Sequence, residues 1–113
     1  MHEVGIAQGI LEMALKAATE AGGSRIETLR VRVGVLTGVV PDALLFALET
    51  LRVGTTAQDA RVELEVEPAR AWCSRCESAF EVRELPCYCP GCDEPAGQVT
   101  GGRGLRLTSI DVA

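Results

Sequence analysis

The chain of 113 residues carries one histidine and a single lysine, Lys16, and its only aromatic side chains are two phenylalanines, one tryptophan and one tyrosine. Each shortage removes a class of function. Nucleic-acid binding rests on clustered Lys and Arg and on aromatic stacking platforms; a formal net charge of −5 argues against the first and the few aromatics against the second. With aromatics at 4%, the core has to be filled by Leu, Val, Ile and Ala. Long apolar runs are missing too. The most apolar stretch, VGVLTGVVPDALLFALETL, is interrupted by Gly, Pro, Asp and Glu, so it is no membrane span. The opening MHEVGIAQGILEMALKAA places Glu3 and other polar residues where a secretory signal would be uniformly apolar. No internal repeat or low-complexity segment is present. A cytoplasmic protein without a membrane segment is expected.

What is there reads as an α+β fold. Ile6, Ile10, Ala14 and Ala18, joined by Leu11 and Leu15, mark one face of an amphipathic helix from Ile6 to about Ala21. Gly22 or Gly23 suits its left-handed cap. ETLRVRVGV alternates, with Leu29, Val31, Val33 and Val35 on one side and Arg30 and Arg32 on the other, as a half-buried strand does. Pro41 and Asp42 open a second helix whose buried stripe is Leu44, Leu45, Leu48 and Leu51. RVELEVEP alternates again, Val62, Leu64 and Val66 inward and Glu63, Glu65 and Glu67 outward, until Pro68. GLRLTSIDV is a last strand whose alternation slips near Ser109, the signature of a bulge. The expected architecture is two helices packed on a three-stranded sheet, residues 1–70 and 98–113, with an inserted lobe at 71–97.

The inserted lobe holds Cys73-x-x-Cys76 and Cys89-x-x-Cys92. Each pair puts two thiolates on one tight turn, and two facing turns make a tetrahedral four-sulfur site, the arrangement of structural zinc. A single CxxC can be a redox pair, and two at this spacing favour Zn²⁺. A lobe this small is expected to need the metal to fold. Pro90 and Gly91 fit the second turn, and FEVR between the pairs can supply a short strand. All four ligand positions are filled, so no open position is left for catalysis. Cys87 is spare; pairing it with Cys92 would not make the two-residue knuckle turn, which leaves it a free thiol near the site.

The histidine stands at position 2. Methionine removal needs a small second residue, so Met1 is expected to be retained. The Met1 amine, the His2 backbone nitrogen and the His2 imidazole would then close adjoining chelate rings in a plane. A fourth donor is available from Glu3, through its backbone nitrogen or its carboxylate. Four donors in a plane suit Ni²⁺ or Cu²⁺. The chemistry permits nickel here without requiring it, because a solvated histidine at a terminus is also ordinary.

MHE at the start, the following helix, VRVGVLTGVVPDALLFALE, then CSRC and CPGC, and the closing LRLTSIDV together make the chain similar to the HypA/HybF family, the nickel-insertion accessory proteins of [NiFe]-hydrogenase maturation. The resemblance covers essentially the whole chain. It implies a two-lobed α+β fold with a zinc-ribbon-like lobe, a transported Ni²⁺ at His2 and Glu3 with the Met1 amine as a further donor, and structural Zn²⁺ on Cys73, Cys76, Cys89 and Cys92. It also implies a HypB-type GTPase partner and the hydrogenase large-subunit precursor as final recipient. Some relatives carry histidines beside the zinc cysteines, and some serve urease as well; with no second histidine, neither feature is supported here. Cys87 departs from the pattern. Asp42 can approach the nickel terminus, although a helix-dipole role explains it without that. The expectation is therefore a metallochaperone and not an enzyme, without nucleic-acid or membrane partners and compatible with a homodimer. The competing reading is a zinc-ribbon adaptor in a nucleic-acid or transcription complex.

Overall fold

A computed structural model describes residues 2–113. Helix α1 (Glu3–Glu20) buries Ala7, Ile10, Leu11, Ala14 and Ala18, the expected stripe. It begins three residues before the expected Ile6, because its first turn carries the acid Glu3, favoured by the helix dipole, and no apolar marker. Gly22 takes the left-handed conformation (φ +74°), and the Gly23 N–H donates to the Ala18 carbonyl, closing a Schellman motif.

Strand β1 (Ile26–Gly34) is the middle of a three-stranded sheet. It runs parallel to β2 (Arg61–Glu67) and antiparallel to the last strand, β6 (Leu105–Val112), with α2 (Pro41–Leu51) inside the β1–β2 crossover. Ile26, Leu29, Val31 and Val33 face the helices and are each 1% exposed. On the opposite face Arg30 pairs with Glu63 at 3.0 Å and Asp111 at 2.8 Å, and Arg32 with Glu65 at 3.3 Å. The register steps from Arg30↔Ser109 to Val31↔Leu107, leaving Thr108 as the extra residue of the expected bulge.

Three details differ from the periodicity. Ala47 joins Leu44 and Leu48 in the buried stripe of α2, whereas Leu45 and Leu51 are only half-buried. Val66, near the end of edge strand β2, stays 45% exposed, since an edge strand has a neighbour on one side only. Val35 lies past the end of β1 and packs with Leu36 against a second core, formed by Ala69, Ala71 and Val82.

That second core lies under a second sheet. Strand β3 (Ala69–Cys73) is its centre, flanked by β4 (Ser78–Val82) and β5 (Val99–Gly101), both antiparallel. Only the strand through Phe80–Val82 was expected within the lobe. At the junction, backbone bonds from Gly34 to Gly104 (2.6 Å), Val35 to Glu67 (2.9 Å) and Leu36 to Gly102 (2.7 Å) tie the two sheets. Gly34 has to be glycine, since a Cβ would sit 2.3 Å from the Gly102 backbone. The molecule measures 55 × 24 × 16 Å with a radius of gyration of 17.5 Å, well above the ~13 Å of a spherical chain of this length. Two lobes stand end to end.

Candidate metal centre

The second sheet brings the four paired cysteines together. Cys73 closes β3, and Cys76 lies in the turn that leads to β4. The Cys76 N–H donates to the Cys73 Sγ at 3.4 Å, the closing bond of a sulfur knuckle. In the second knuckle the Asp93 N–H donates to the Cys89 carbonyl and the Cys89 N–H to the Glu94 carbonyl, both at 2.8 Å. Each knuckle turns out through a left-handed residue directly after its second cysteine, Glu77 (φ 52°) and Asp93 (φ 64°). Neither is glycine, so the sequence held no ordinary sign of this turn. Arg75 and Glu94 join the two knuckles at 3.1 Å.

The Sγ atoms of Cys73, Cys76, Cys89 and Cys92 all lie within 4.8 Å of one another. Cys73 and Cys92 are 3.6 Å apart, and Cys76 and Cys89 are 3.8 Å apart. A tetrahedron with Zn–S bonds of about 2.3 Å has edges of about 3.8 Å. The donor set therefore fits Zn²⁺ in charge, softness and spacing. Cys73 and Cys89 are buried, and Cys76 is exposed. The backbone N–H of Gly91 brings the Cys89 thiol down to about 7, which favours its thiolate. The Cys76 thiol is pushed up to about 12, chiefly by its hydrogen bond with Cys92. Cys87 stays outside the cluster and packs against the Ala69, Ala71 and Val82 core, while its carbonyl accepts from the Ala96 N–H at 2.9 Å.

The terminal candidates are arranged differently. The Met1 amine lies outside the described residues. His2 is the N-cap of α1, exposed, with its carbonyl accepting the Ile6 N–H at 3.1 Å. Glu3 is the first helical residue, and its Oε2 accepts the Val40 N–H at 3.4 Å, where α2 begins. Its carboxylate thus ties the start of α1 to the positive end of α2. His2 and Glu3 line a groove of about 550 Å³ together with Val4, Gly5, Ala43, Phe46, Ala47, Thr50 and Leu51. Asp42 is exposed in the first turn of α2 and is not among the lining residues. Periodicity did not foresee Phe46 in this groove, because an isolated apolar residue off the buried stripe reads as incidental.

A helix-backed sheet joined to a four-thiol lobe, with a histidine presented at a helix terminus, defines a two-lobed metal-binding protein. Comparison with known proteins gives this class its family. The chain belongs to the family described as "Hydrogenase/urease nickel incorporation, metallochaperone, hypA", which it matches over residues 1–112. It is 38% identical over 112 residues to the hydrogenase maturation factor HypA of Chloroflexus aurantiacus strain J-10-fl, covering 98% of each chain. It is 39% identical over 113 residues to the HypA of Polaromonas naphthalenivorans strain CJ2, covering 100% of this chain and 98% of that one. The fold is also that of the solution structure of the Ni metallochaperone HypA from Helicobacter pylori, with a TM-score of 0.67 at 22% identity over 99% of this chain and 97% of that one. The family is one of metallochaperones, not of enzymes. No helix among the described residues is long and apolar enough to cross a membrane.

Proposed function

We propose that the chain is a cytoplasmic nickel metallochaperone that binds Ni²⁺ at its N-terminus and delivers it for [NiFe]-hydrogenase maturation. The match over residues 1–112 to a nickel-incorporation family carries this reading, and the exposure of His2 at a helix N-cap supports it. Nickel, as cargo, is taken by the Met1 amine, the His2 backbone nitrogen and the His2 imidazole. The Glu3 carboxylate already accepts a bond from Val40, which favours its backbone nitrogen as the fourth donor and leaves its side chain to position the terminus. A chelate made by one terminal segment can open without unfolding a core, as transfer requires. A HypB-type GTPase and the hydrogenase large-subunit precursor are the partners on either side of that transfer.

Cys73, Cys76, Cys89 and Cys92 would hold Zn²⁺, which when bound supplies a structural crosslink between the two knuckles. The residues themselves do the rest. The Cys76 N–H closes its knuckle on the Cys73 Sγ, the Gly91 N–H favours the Cys89 thiolate, and the Arg75–Glu94 pair holds one knuckle to the other.

Calorimetric titration with nickel tests the terminal site on wild type, His2→Ala and a form extended before Met1, with zinc quantified alongside. His2→Ala should lose most nickel affinity and keep its zinc. The extension should weaken binding because it turns the amine into an amide, and Glu3→Gln should do less than either. Acidification should release nickel as protons compete for the nitrogen donors. Unchanged affinity in His2→Ala would overturn the terminal site.

A further inference from the structure

The last strand, β6, is an edge of the helix-backed sheet, and no described residue pairs with its outer side. An open strand edge invites a further strand. Its residues read LRLTSIDV. Leu105 and Leu107, then Ile110 and Val112, pack toward the helices, while Arg106, Ser109 and Asp111 stand exposed on the other face. In an unbroken strand of this length the two ends would face opposite ways. The bulge at Thr108, whose hydroxyl donates to the Arg30 carbonyl at 3.2 Å, moves the alternation by one residue. The strand therefore shows the same sequence of faces from either end, with a cation near one end and an anion near the other.

Arg106 is poorly matched within its own chain. Directly opposite it on β1 stands Arg32, a like charge whose own acid is Glu65 at 3.3 Å. Arg106 itself makes no hydrogen bond or ion pair among the described residues. Asp111 has acceptor capacity to spare. Arg30 takes its Oδ2 at 2.8 Å and Thr28 lies beside it, yet the side chain stays 52% exposed. The apolar side chains of β6 are all half-buried, so α1 leaves this edge uncovered on the inner face as well.

We propose that β6 pairs with β6 of a second copy, antiparallel about a two-fold axis between Thr108 and Ser109, joining two three-stranded sheets into one of six strands. In that register each Arg106 faces the other copy's Asp111, each Leu107 an Ile110, and each Leu105 a Val112. The two bulges lie against each other, two residues against two, so neither slips the ladder. A shift of one residue either way sets Arg106 opposite Ile110 or Val112 and loses both ion pairs. The opposite edge lacks this match. Two copies of β2 paired in full register about Leu64 would set Glu63 against Glu65, like charge on like. The cysteine lobe adjoins β6 at its Leu105 end, so the antiparallel arrangement sends the two lobes to opposite ends of the dimer. The pairing rests on neither metal site.

The test uses zinc-loaded protein without nickel, so its failure is separate from a failure of nickel binding. Sedimentation equilibrium from micromolar to millimolar concentration should show a dimer that forms with concentration and weakens with added salt. Arg106→Asp sets acid against acid at both pairs and should weaken dimerisation at least about tenfold. Because Arg106 is exposed and unpartnered in its own chain, that change should leave zinc content and circular dichroism as they were. Arg106→Lys, which keeps the charge, should still dimerise. Asp111→Arg sets cation against cation and should also be monomeric. Mixed in equal amounts, Arg106→Asp and Asp111→Arg should form a dimer that neither forms alone, since positions 106 and 111 are again of opposite sign across the axis. Amide exchange should slow with concentration in β6 and not in β2. A wild type monomeric to millimolar concentration, which would leave the edge to a strand of another protein, overturns the proposal. So does a dimer indifferent to Arg106→Asp, a mixture that stays monomeric with both chains folded, or slowed exchange confined to a surface other than β6.

Discussion

The two lobes hold their shape by different means. In the helix-backed lobe Leu29, Leu44 and Leu48 are at most 1% exposed, and the core extends from Ala7 to Ala60. Among the described residues the cysteine lobe's own apolar core is Ala69, Ala71 and Val82, with Phe80, Cys87, Ala96 and Val99 partly buried against it and Val35 and Leu36 lent to it from beyond β1. Two alanines and a valine, with a rim of half-buried side chains around them, remove too little apolar surface from water to order a lobe of two knuckles and three strands. Apolar burial organises one lobe; four convergent thiols organise the other. The same division separates the two candidate metal sites, since a closed tetrahedral cluster can crosslink, whereas an exposed terminal histidine can let go.

Zinc removal should have the largest effect. Structural zinc in small domains contributes about 10–16 kcal/mol of apparent binding free energy, which becomes folding free energy. Chelation, or Cys73→Ala, should abolish hydrogen-exchange protection in β3 and β4 and change the fluorescence of Trp72, which is 54% exposed beside Cys73. Protection in β1 should persist. Cys87→Ala should keep its zinc, because that thiol stands outside the cluster. A cysteine lobe that stays protected without metal would break the comparison.

The reciprocal change comes next. Leu48→Ala removes a side chain that is 1% exposed from the helix-backed core, and such a truncation costs about 2–5 kcal/mol. The thermal midpoint of that lobe should fall by many degrees while zinc per chain stays constant. If zinc falls in step with stability, the junction between Gly34 and Gly104 couples the lobes more tightly than their separate cores suggest.

The legibility of the sequence follows the same line. Period-four spacing in α1 and alternation in β1 were readable because burial alone decides those residues. The paired cysteines were readable because a tetrahedral sulfur site needs that spacing. Val35 looked like a continuation of β1, since alternation along one strand does not show that the chain changes sheets at Gly34. β5 was missed because VTG is too short to alternate. Glu77 and Asp93 gave no sign of a left-handed turn, as that conformation follows from the position after each knuckle and not from the residue type. The groove at Phe46 depends on how two helices lie together, which no single helix pattern contains.

A smaller effect is expected at Glu77. A non-glycine residue held left-handed is strained by about 1–2 kcal/mol, and glycine returns part of that to unfolded-state entropy. Glu77→Gly should therefore stabilise the cysteine lobe by roughly 0.5–1 kcal/mol, read as a higher chelator concentration at the midpoint of zinc release. Asp93→Gly should gain less, because aspartate tolerates this conformation better than glutamate. A loss on Glu77→Gly would mean that its side chain supports the knuckle.

The smallest effect separates the lobes by pH. Arg30 hydrogen-bonds Asp111 at 2.8 Å and holds its carboxyl below the ordinary value of 3.8. A carboxylate whose folded value is depressed adds stability that is fully present above its unfolded value, and that stability disappears as pH falls through the folded value. The midpoint difference between wild type and Asp111→Asn should therefore be constant from neutral pH to about 5, narrow below about 4, and close in stronger acid. It should also shrink with added salt, because the pair is exposed. The cysteine lobe should fail earlier on the same titration, since protons displace zinc from its thiolates before they reach Asp111. Amide protection in β1, followed beside zinc release, reads the two events apart. A single coincident transition would mean that the helix-backed lobe does not outlast its neighbour, and the division between an apolar core and a metal core would have to be abandoned.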